Sequence, residues 1–423
     1  MTVLWDRTAL NIKKMKKRLL TILTIAVSLG ASAQVVSDST ELGAGYANQS
    51  YYSLENGEVA NVDNNNWDLA FDLSGFGATI RLNRRIDLMW VYPGDTSNWS
   101  SVDTAGHMTW DSHINGYDSW SEGAFNADAD SGNPVDLGWG IYNTLTHFTE
   151  GDRIFVVELS DGSYRKLWIQ LLASGVYTFK YDMLDNSDEQ NVSITKADYS
   201  GKNFVYYSME NDQLEDREPA SADWDIVFSN YALELAPNYI SAVTGVLQNI
   251  DCYVQEVNDL PADEAVYSDA SLESTASKIG YDWKTFNFGS FSYDIKDSLS
   301  YFVQTLSGDV WQIVFTGFNG SSDGKTYFTK ELIGAASFEE EELKSMVVYP
   351  NPAINEVNIF NMENVETLEL FNLNGQRVYY SDNLDQSNLL RIDLSSFENG
   401  YYLINARTIE GNIITQKLVI ASK

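Results

Sequence analysis

Tyr51-Tyr52-Ser53-Leu54-Glu55-Asn56, followed by Trp67-Asp68-Leu69-Ala70-Phe71, returns later in the chain as Tyr206-Tyr207-Ser208-Met209-Glu210-Asn211 and Trp224-Asp225-Ile226-Val227-Phe228. Each copy reads as an aromatic-rich strand, a polar turn and a second strand, because aromatic and β-branched side chains fit a pleated, half-buried surface. A unit that small cannot bury its own apolar face, so each copy opens a larger module. A second echo closes the modules. Ser160-Asp161-Gly162 leads through Tyr164 and Ile169 to Tyr177-Thr178-Phe179-Lys180-Tyr181, and Ser307-Gly308-Asp309 leads through Trp311 and Phe315 to Thr326-Tyr327-Phe328-Thr329-Lys330. Opening and closing signals in the same order imply an internal duplication of a whole domain rather than a solenoid of short repeats.

The totals agree with a β-rich chain. In 423 residues, 44% are hydrophobic and 13% aromatic, with eleven Trp and twenty-five Tyr, which argues against bulk disorder and favours strands. The expected fold class is all-β: two tandem modules, at 49–195 and 202–333, then a small C-terminal β-sandwich at 347–423. Lys16-Lys17-Arg18, the apolar run Leu19 to Leu29 and Ala31-Ser32-Ala33 fit a signal peptide, with Met15 as the expected true start and maturation near Gln34. That run is too short to span a membrane. Loss of residues 1–33, with six basic residues and Asp6, takes the formal charge from −33 to −38. Such a charge repels nucleic acid and anionic lipid, keeps the chain soluble and offers carboxylates to cations. Cys252 is the sole cysteine, so no intramolecular disulfide forms.

Residues 34–48 are small and polar and read as a flexible lead. Within the first module, Asn83 to Pro134 is long and irregular, with Trp90, Trp99, Trp110 and Trp120 among Gly, Asp, Ser and Asn. A loop-rich insertion on a rigid sheet is where a binding surface sits; the alternative is that these rings plug the open edge of the sheet. Asp152 to Leu159, the Asp161-Gly162 turn and Tyr164 to Leu172 read as a hairpin. In the following strand, alternation puts Tyr177, Phe179 and Tyr181 on one face, the core side. The second module has fewer features. Residues 259–277 read as a loop with a short helix, and 334–346, with Glu339 to Glu342, as a solvated acidic linker.

From Val347 the pattern becomes a set of short strands. Tyr349-Pro350-Asn351-Pro352 is a rigid turn, Asn374-Gly375 a hairpin turn, and Asn399-Gly400 and Gly411-Asn412 further turns. These residues, with Leu370-Phe371-Asn372-Leu373, Ile392-Asp393-Leu394 and Thr415-Gln416-Lys417-Leu418, closely resemble the type A C-terminal sorting domain of type IX secretion in Bacteroidota. The resemblance rests on Pro350, Asn351, Pro352, Gly375, Gly400 and Lys417 among others. It implies Sec export, passage of the outer membrane by the type IX machinery, and a surface sortase that cuts in the acidic linker and leaves the cargo anchored or free.

The module openings, with Gly138-Trp139-Gly140-Ile141-Tyr142 and Arg153-Ile154-Phe155-Val156-Val157, resemble the HmuY family of haem-binding surface proteins. That resemblance implies haem held between two side-chain donors, for which the first module offers His107, His113 and His147. Near Ile141 and Tyr142, where the family places one ligand, this chain has no histidine; the alternative reading makes His107 and His113 hydrogen-bonded loop residues and His147 a structural residue at a strand entry. Trp90, Trp99, Trp110, Trp120 and Tyr142 would line the ligand surface. Asp128, Asp130 and Asp136 place oxygen donors at loop positions where calcium could bind, or form a solvated acidic turn. No His-Glu-x-x-His, Gly-x-Ser-x-Gly or phosphate-cradling glycine loop occurs. The expectation is a non-enzymatic secreted or surface protein that captures haem or another flat hydrophobic ligand through its first module. The alternatives are a structural adhesin and a glycan binder with exposed tryptophans.

Overall fold

The computed structural model describes residues 34–84, 89–237, 239–334, 347–360, 365–372, 376–382, 389–408 and 413–421. The signal peptide, most of the acidic linker, and the turns at Asn374-Gly375 and Gly411-Asn412 lie outside them. The fold is all-β, and the only helical turns among the described residues are short 3-10 segments.

The first half carries an eight-stranded antiparallel sheet. Its run is Gln190–Thr195, Val176–Met183, Tyr164–Ala173, Phe155–Glu158, Met89–Val91 and Ser112–His113, with the hairpin Gly140–Asn143/Phe148–Gly151 against Tyr164–Ala173. The expected alternation holds, with Tyr177, Phe179 and Tyr181 all in the core. The Asp161-Gly162 hairpin forms, with Gly162 at φ 81° closing a turn that a Cβ would strain. The second half carries a five-stranded sheet: Val36–Thr40, Thr326–Gly334, Val310–Phe318, Leu299–Gln304 and Tyr253–Asn258.

Two further four-stranded sheets join these halves, and they do so by exchange. Asn48–Ser53 pairs with Ile226–Ala236, and Phe204–Ser208 pairs with Leu69–Asp72. Each opening strand therefore lies against the Trp-Asp strand of the other copy. Alternation along Asn48–Ser53 sends Tyr52, with Leu54 beyond it, into the core of Ile226, Phe228, Tyr301, Ile313 and Phe328. Tyr51 faces the other way, edge-on to Trp224 at 5.1 Å. Phe204–Ser208 does the same in reverse. Val205 and Tyr207, with Met209 just beyond, complete the core of Leu69, Phe71, Leu167, Ile169 and Phe179, while Tyr206 stands edge-on to Trp67 at 4.9 Å.

The hydrogen bonds repeat in the same way. The Asp68 carboxylate accepts from Met209 N at 2.7 Å, and that of Asp225 accepts from Leu54 N at 2.8 Å. Asn83 Nδ2 donates to Trp67 O at 2.8 Å, and Asn249 Nδ2 to Trp224 O at 2.7 Å. Where the copies face each other, the hydroxyls of Tyr51 and Tyr206 meet at 3.2 Å. Beside them Glu218 is buried, accepting from Tyr206 Oη at 2.6 Å and Asn203 N at 2.9 Å, and burial pushes its carboxyl up to about 7.

The lead expected to be flexible is ordered instead. Val36–Thr40 is the edge strand of the second half's sheet, pairing Val36 with Lys330 and Thr40 with Thr326. It is pinned by Thr40 Oγ1, which lies within hydrogen-bond distance of Ser50 Oγ and Glu58 Oε2 at 2.7 Å each, and by Asp38, which accepts from Tyr52 Oη. Composition missed it because half of an edge strand's residues face solvent and stay polar. Residues 259–277 contain a single 3-10 turn, Asp269–Ser271.

Residues 347–421 form two small sheets, one of Val347–Tyr349, Glu356–Phe360 and Leu389–Asp393, the other of Arg377–Ser381, Val365–Asn372, Gly400–Thr408 and Ile413–Ile420. They enclose a core of their own around Val357, Ile359, Leu368, Leu370, Ile404 and Leu418.

Candidate functional site

The tryptophan-rich middle of the first half is a packed layer. Trp90 and Trp99 are 6% and 9% exposed, which decides against a ligand surface at either ring. Trp99 packs with Val102, Ile154 and Val156, and Tyr92, Trp110 and Trp168 close over them. Its Nε1 donates to Glu189 at 2.8 Å, and the ammonium groups of Lys166 and Lys180 lie over its ring at 4.8 and 4.3 Å. Half-buried Trp110 stands edge-on to Tyr92 at 5.4 Å. Trp120 reaches into the other half, donating to Gln248 O at 2.8 Å, and the buried Arg81 lies over it at 5.3 Å while bonding Trp120 O at 2.9 Å. Where alternatives stood open, these rings fill gaps between elements.

The three imidazoles sit apart. His107 packs edge-on to Trp90 at 5.0 Å, and its Nδ1 bonds Thr104 O at 2.8 Å. His113 pairs with Met89 across the strands, so it shares the face of Met89, whereas His107 packs on the opposite face, that of Trp90. His147, at φ 60° in the turn of the hairpin Gly140–Asn143/Phe148–Gly151, bonds Tyr142 Oη through Nδ1 at 2.7 Å, which ties Tyr142 to the hairpin as well.

At the expected calcium loop a guanidinium takes the place of an ion. Arg153 donates to Asp136 Oδ1 and Oδ2 at 2.9 and 2.6 Å and contacts Asp128 Oδ2 at 3.2 Å. These bonds hold the Asp136 carboxyl down at about 2. Asp128 also meets His113 at 3.3 Å, and Asp130 accepts from Gly132 N at 2.8 Å in its own turn. Among the described residues no group of three or more His, Cys, Asp and Glu is arranged to hold a metal.

The second half contains what sequence reading passed over. Lys284–Asn287 and Ser292–Ile295 form a two-stranded hairpin, and an open pocket of about 460 Å³ lies between it and Tyr239–Gln248. Tyr46, Tyr281, Phe286 and Tyr293 stand in its wall, and Lys284 also lines it. Phe288 and Phe291 at the hairpin tip are each 80% exposed. A signal was present in the alternation Lys284, Phe286, Phe288 followed by Phe291 and Tyr293. A smaller cavity, about 40 Å³, lies between the halves beside Arg81, Tyr206 and Asn230; it is water-sized.

In the C-terminal unit, Asn351, flanked by Pro350 and Pro352, ties the first turn to the last strand. Its Nδ2 donates to Lys417 O at 2.6 Å, and its Oδ1 accepts from Val419 N at 2.8 Å. Gly400 opens the strand Gly400–Thr408, and Lys417 Nζ lies over the neighbouring Tyr401 ring at 4.4 Å. Gly375 lies outside the described residues. This arrangement of strands coincides with a match to the secretion-system C-terminal sorting domain over residues 347–421. The chain ends in a sorting domain. That domain marks a type IX secretion substrate, bound for the outer surface or the medium, and no helix among the described residues is long and apolar enough to cross a membrane.

The other relatives are distant. The chain is 31% identical over 113 residues to β-agarase D of Zobellia galactanivorans, a stretch that is 26% of this chain and 23% of the agarase. Among solved structures, dimeric latent PorU from Porphyromonas gingivalis is 10% identical with a TM-score of 0.15, covering 65% of this chain and 26% of that one. A polysaccharide lyase is 9% identical with the same TM-score, covering 85% of this chain and 40% of the lyase. The chain thus spans well under half of each of these proteins.

Proposed function

We propose that this type IX substrate is a non-enzymatic binding protein whose ligand-facing surface lies in the second half, at the aromatic hairpin 284–295, and not in the tryptophan-rich middle of the first half. We further infer that the two halves arose by duplication of one module, with the opening strands exchanged. The observation that carries the binding reading is the contrast in how rings are used. The tryptophans of residues 90–120 are spent in packing, whereas Phe288 and Phe291 are solvent-exposed beside an open pocket. A flat hydrophobic ligand remains the favoured class, and the separation of His107 from His113 weighs against haem within it.

The test has two arms. Fluorescence titration of the mature chain with flat aromatic ligands gives saturable binding that is lost in Phe288→Ser with Phe291→Ser; binding unchanged in that double variant overturns the placement. Haemin titration gives no sharpened Soret band; a band lost in His107→Ala or His113→Ala would restore the first half as the site. The agarase likeness favours glycan as a second reading, and quenching of tryptophan fluorescence by agar oligosaccharides checks it.

A further inference from the structure

Lys284 is a buried amine that lines an open pocket, and among the described residues no carboxylate forms a salt bridge with it. Its Nζ donates to the main-chain oxygens of Thr244 at 2.5 Å and Tyr281 at 3.4 Å. It lies over the Trp283 ring at 3.9 Å and the Phe318 ring at 4.6 Å. The neighbouring carboxylate, Asp282, is engaged by Lys296 at 2.9 Å. Two other buried lysines differ, since Lys166 and Lys330 each have an aspartate within 3.8 Å. Burial disfavours the ammonium more than the nearby Asp282 carboxylate favours it, and pushes Lys284 down to about 7. A neutral amine keeps two N–H groups, enough for both carbonyls, and leaves its lone pair for an electrophile. The wall facing it is aromatic: Tyr46, Tyr281, Phe286 and Tyr293.

We propose that Lys284 captures small carbonyl compounds, aromatic aldehydes foremost, as a reversible imine in this pocket. The Nζ lone pair forms a bond to the carbonyl carbon while the C=O π pair takes up a proton, giving a carbinolamine. Loss of the hydroxyl as water leaves C=N, so one aldehyde and one amine become one imine and one water, with no redox change. The other titratable groups that line the pocket are Asp282, Lys296 and the phenols of Tyr46, Tyr281 and Tyr293. The proposal rests on the pocket being the ligand face, and it adds covalent capture to it.

The experiment treats the purified chain with benzaldehyde and cyanoborohydride, which fixes any imine as a benzylamine, and maps modified lysines by peptide mass spectrometry. At pH 7 a lysine titrating near 7 is half neutral, against about one part in 2,500 for an ordinary lysine. Lys284 is therefore expected to be labelled at least about tenfold faster than Lys202 or Lys296, with a rate that levels off above pH 8. Lys284→Met abolishes the fast site. Should that variant fail to fold, the pH profile of the unaltered protein still decides. Labelling of Lys284 no faster than Lys202 overturns the proposal. Benzyl alcohol, which cannot form an imine, separates the two ideas: if it binds and Lys284 is not labelled, only capture fails, and if it does not bind, the pocket itself is refuted as the ligand face.

Discussion

Separating the halves between Gly201 and Lys202 should unfold both. The fragment 34–201 would lose Val205, Tyr207 and Met209 from its core, and 202–334 would lose Leu42, Tyr52 and Leu54. Burying such a side chain contributes about 1.5–3 kcal/mol, so three amount to roughly 5–9 kcal/mol before any strand pairing is counted. Whole domains are stable by about 5–15 kcal/mol. Each fragment is therefore expected to show no cooperative thermal unfolding as a monomer by circular dichroism. Mixed together, they should elute as a 1:1 complex in size-exclusion chromatography and regain a single transition. Because the two openings are near copies, 34–201 can also pair with a second molecule of itself, and a homodimer of this half is the other species expected. A monomeric 34–201 with a sharp melting transition would refute the exchange.

Asp68→Ala should cost about 1–3 kcal/mol in urea unfolding, because it strips the acceptor from the buried amide of Met209; Asp68→Asn, which keeps an oxygen, should cost less. Glu218 gives a pH signature. Its folded value of about 7 lies above the ordinary glutamate value, so its contribution is fully present below about pH 4.3 and is lost as pH rises to 7 and just beyond. Glu218→Gln should flatten that decline and leave the protein up to about 3 kcal/mol more stable than the parent at pH 8, read from denaturant midpoints across the range. Calcium should leave the melting temperature unchanged, since Arg153 already occupies Asp128 and Asp136, whereas Arg153→Met should destabilise by about 2–4 kcal/mol by leaving those carboxylates without their partner.

Much of the fold was written locally. Alternation placed Tyr177, Phe179 and Tyr181 in the core, and the Asp161-Gly162 turn set its hairpin. The repeat announced two openings but not their partners. Tyr51-Tyr52-Ser53 and Tyr206-Tyr207-Ser208 present the same edge and the same alternating faces, so either could lie against either Trp-Asp strand, and only the path of the chain between them decides. The tryptophans were ambiguous for a related reason: a ring beside Gly and Asp reads alike whether it meets solvent or, like Trp99, the distant Lys166, Lys180 and Glu189. Lys284 escaped notice because its isolation depends on Asp282 turning to Lys296, twelve residues beyond Lys284.

The edge strand Val36–Thr40 closes against Thr326–Gly334, which ties the first described strand of the chain to the last one before the sorting domain. That seam cannot form until the strand Thr326–Gly334 is available, because the two strands it joins are far apart in sequence. A chain truncated before residue 326 would lack both that seam and the address that follows it. A shortened copy is thus expected to lose folding and export together, which protease sensitivity and surface localisation would report.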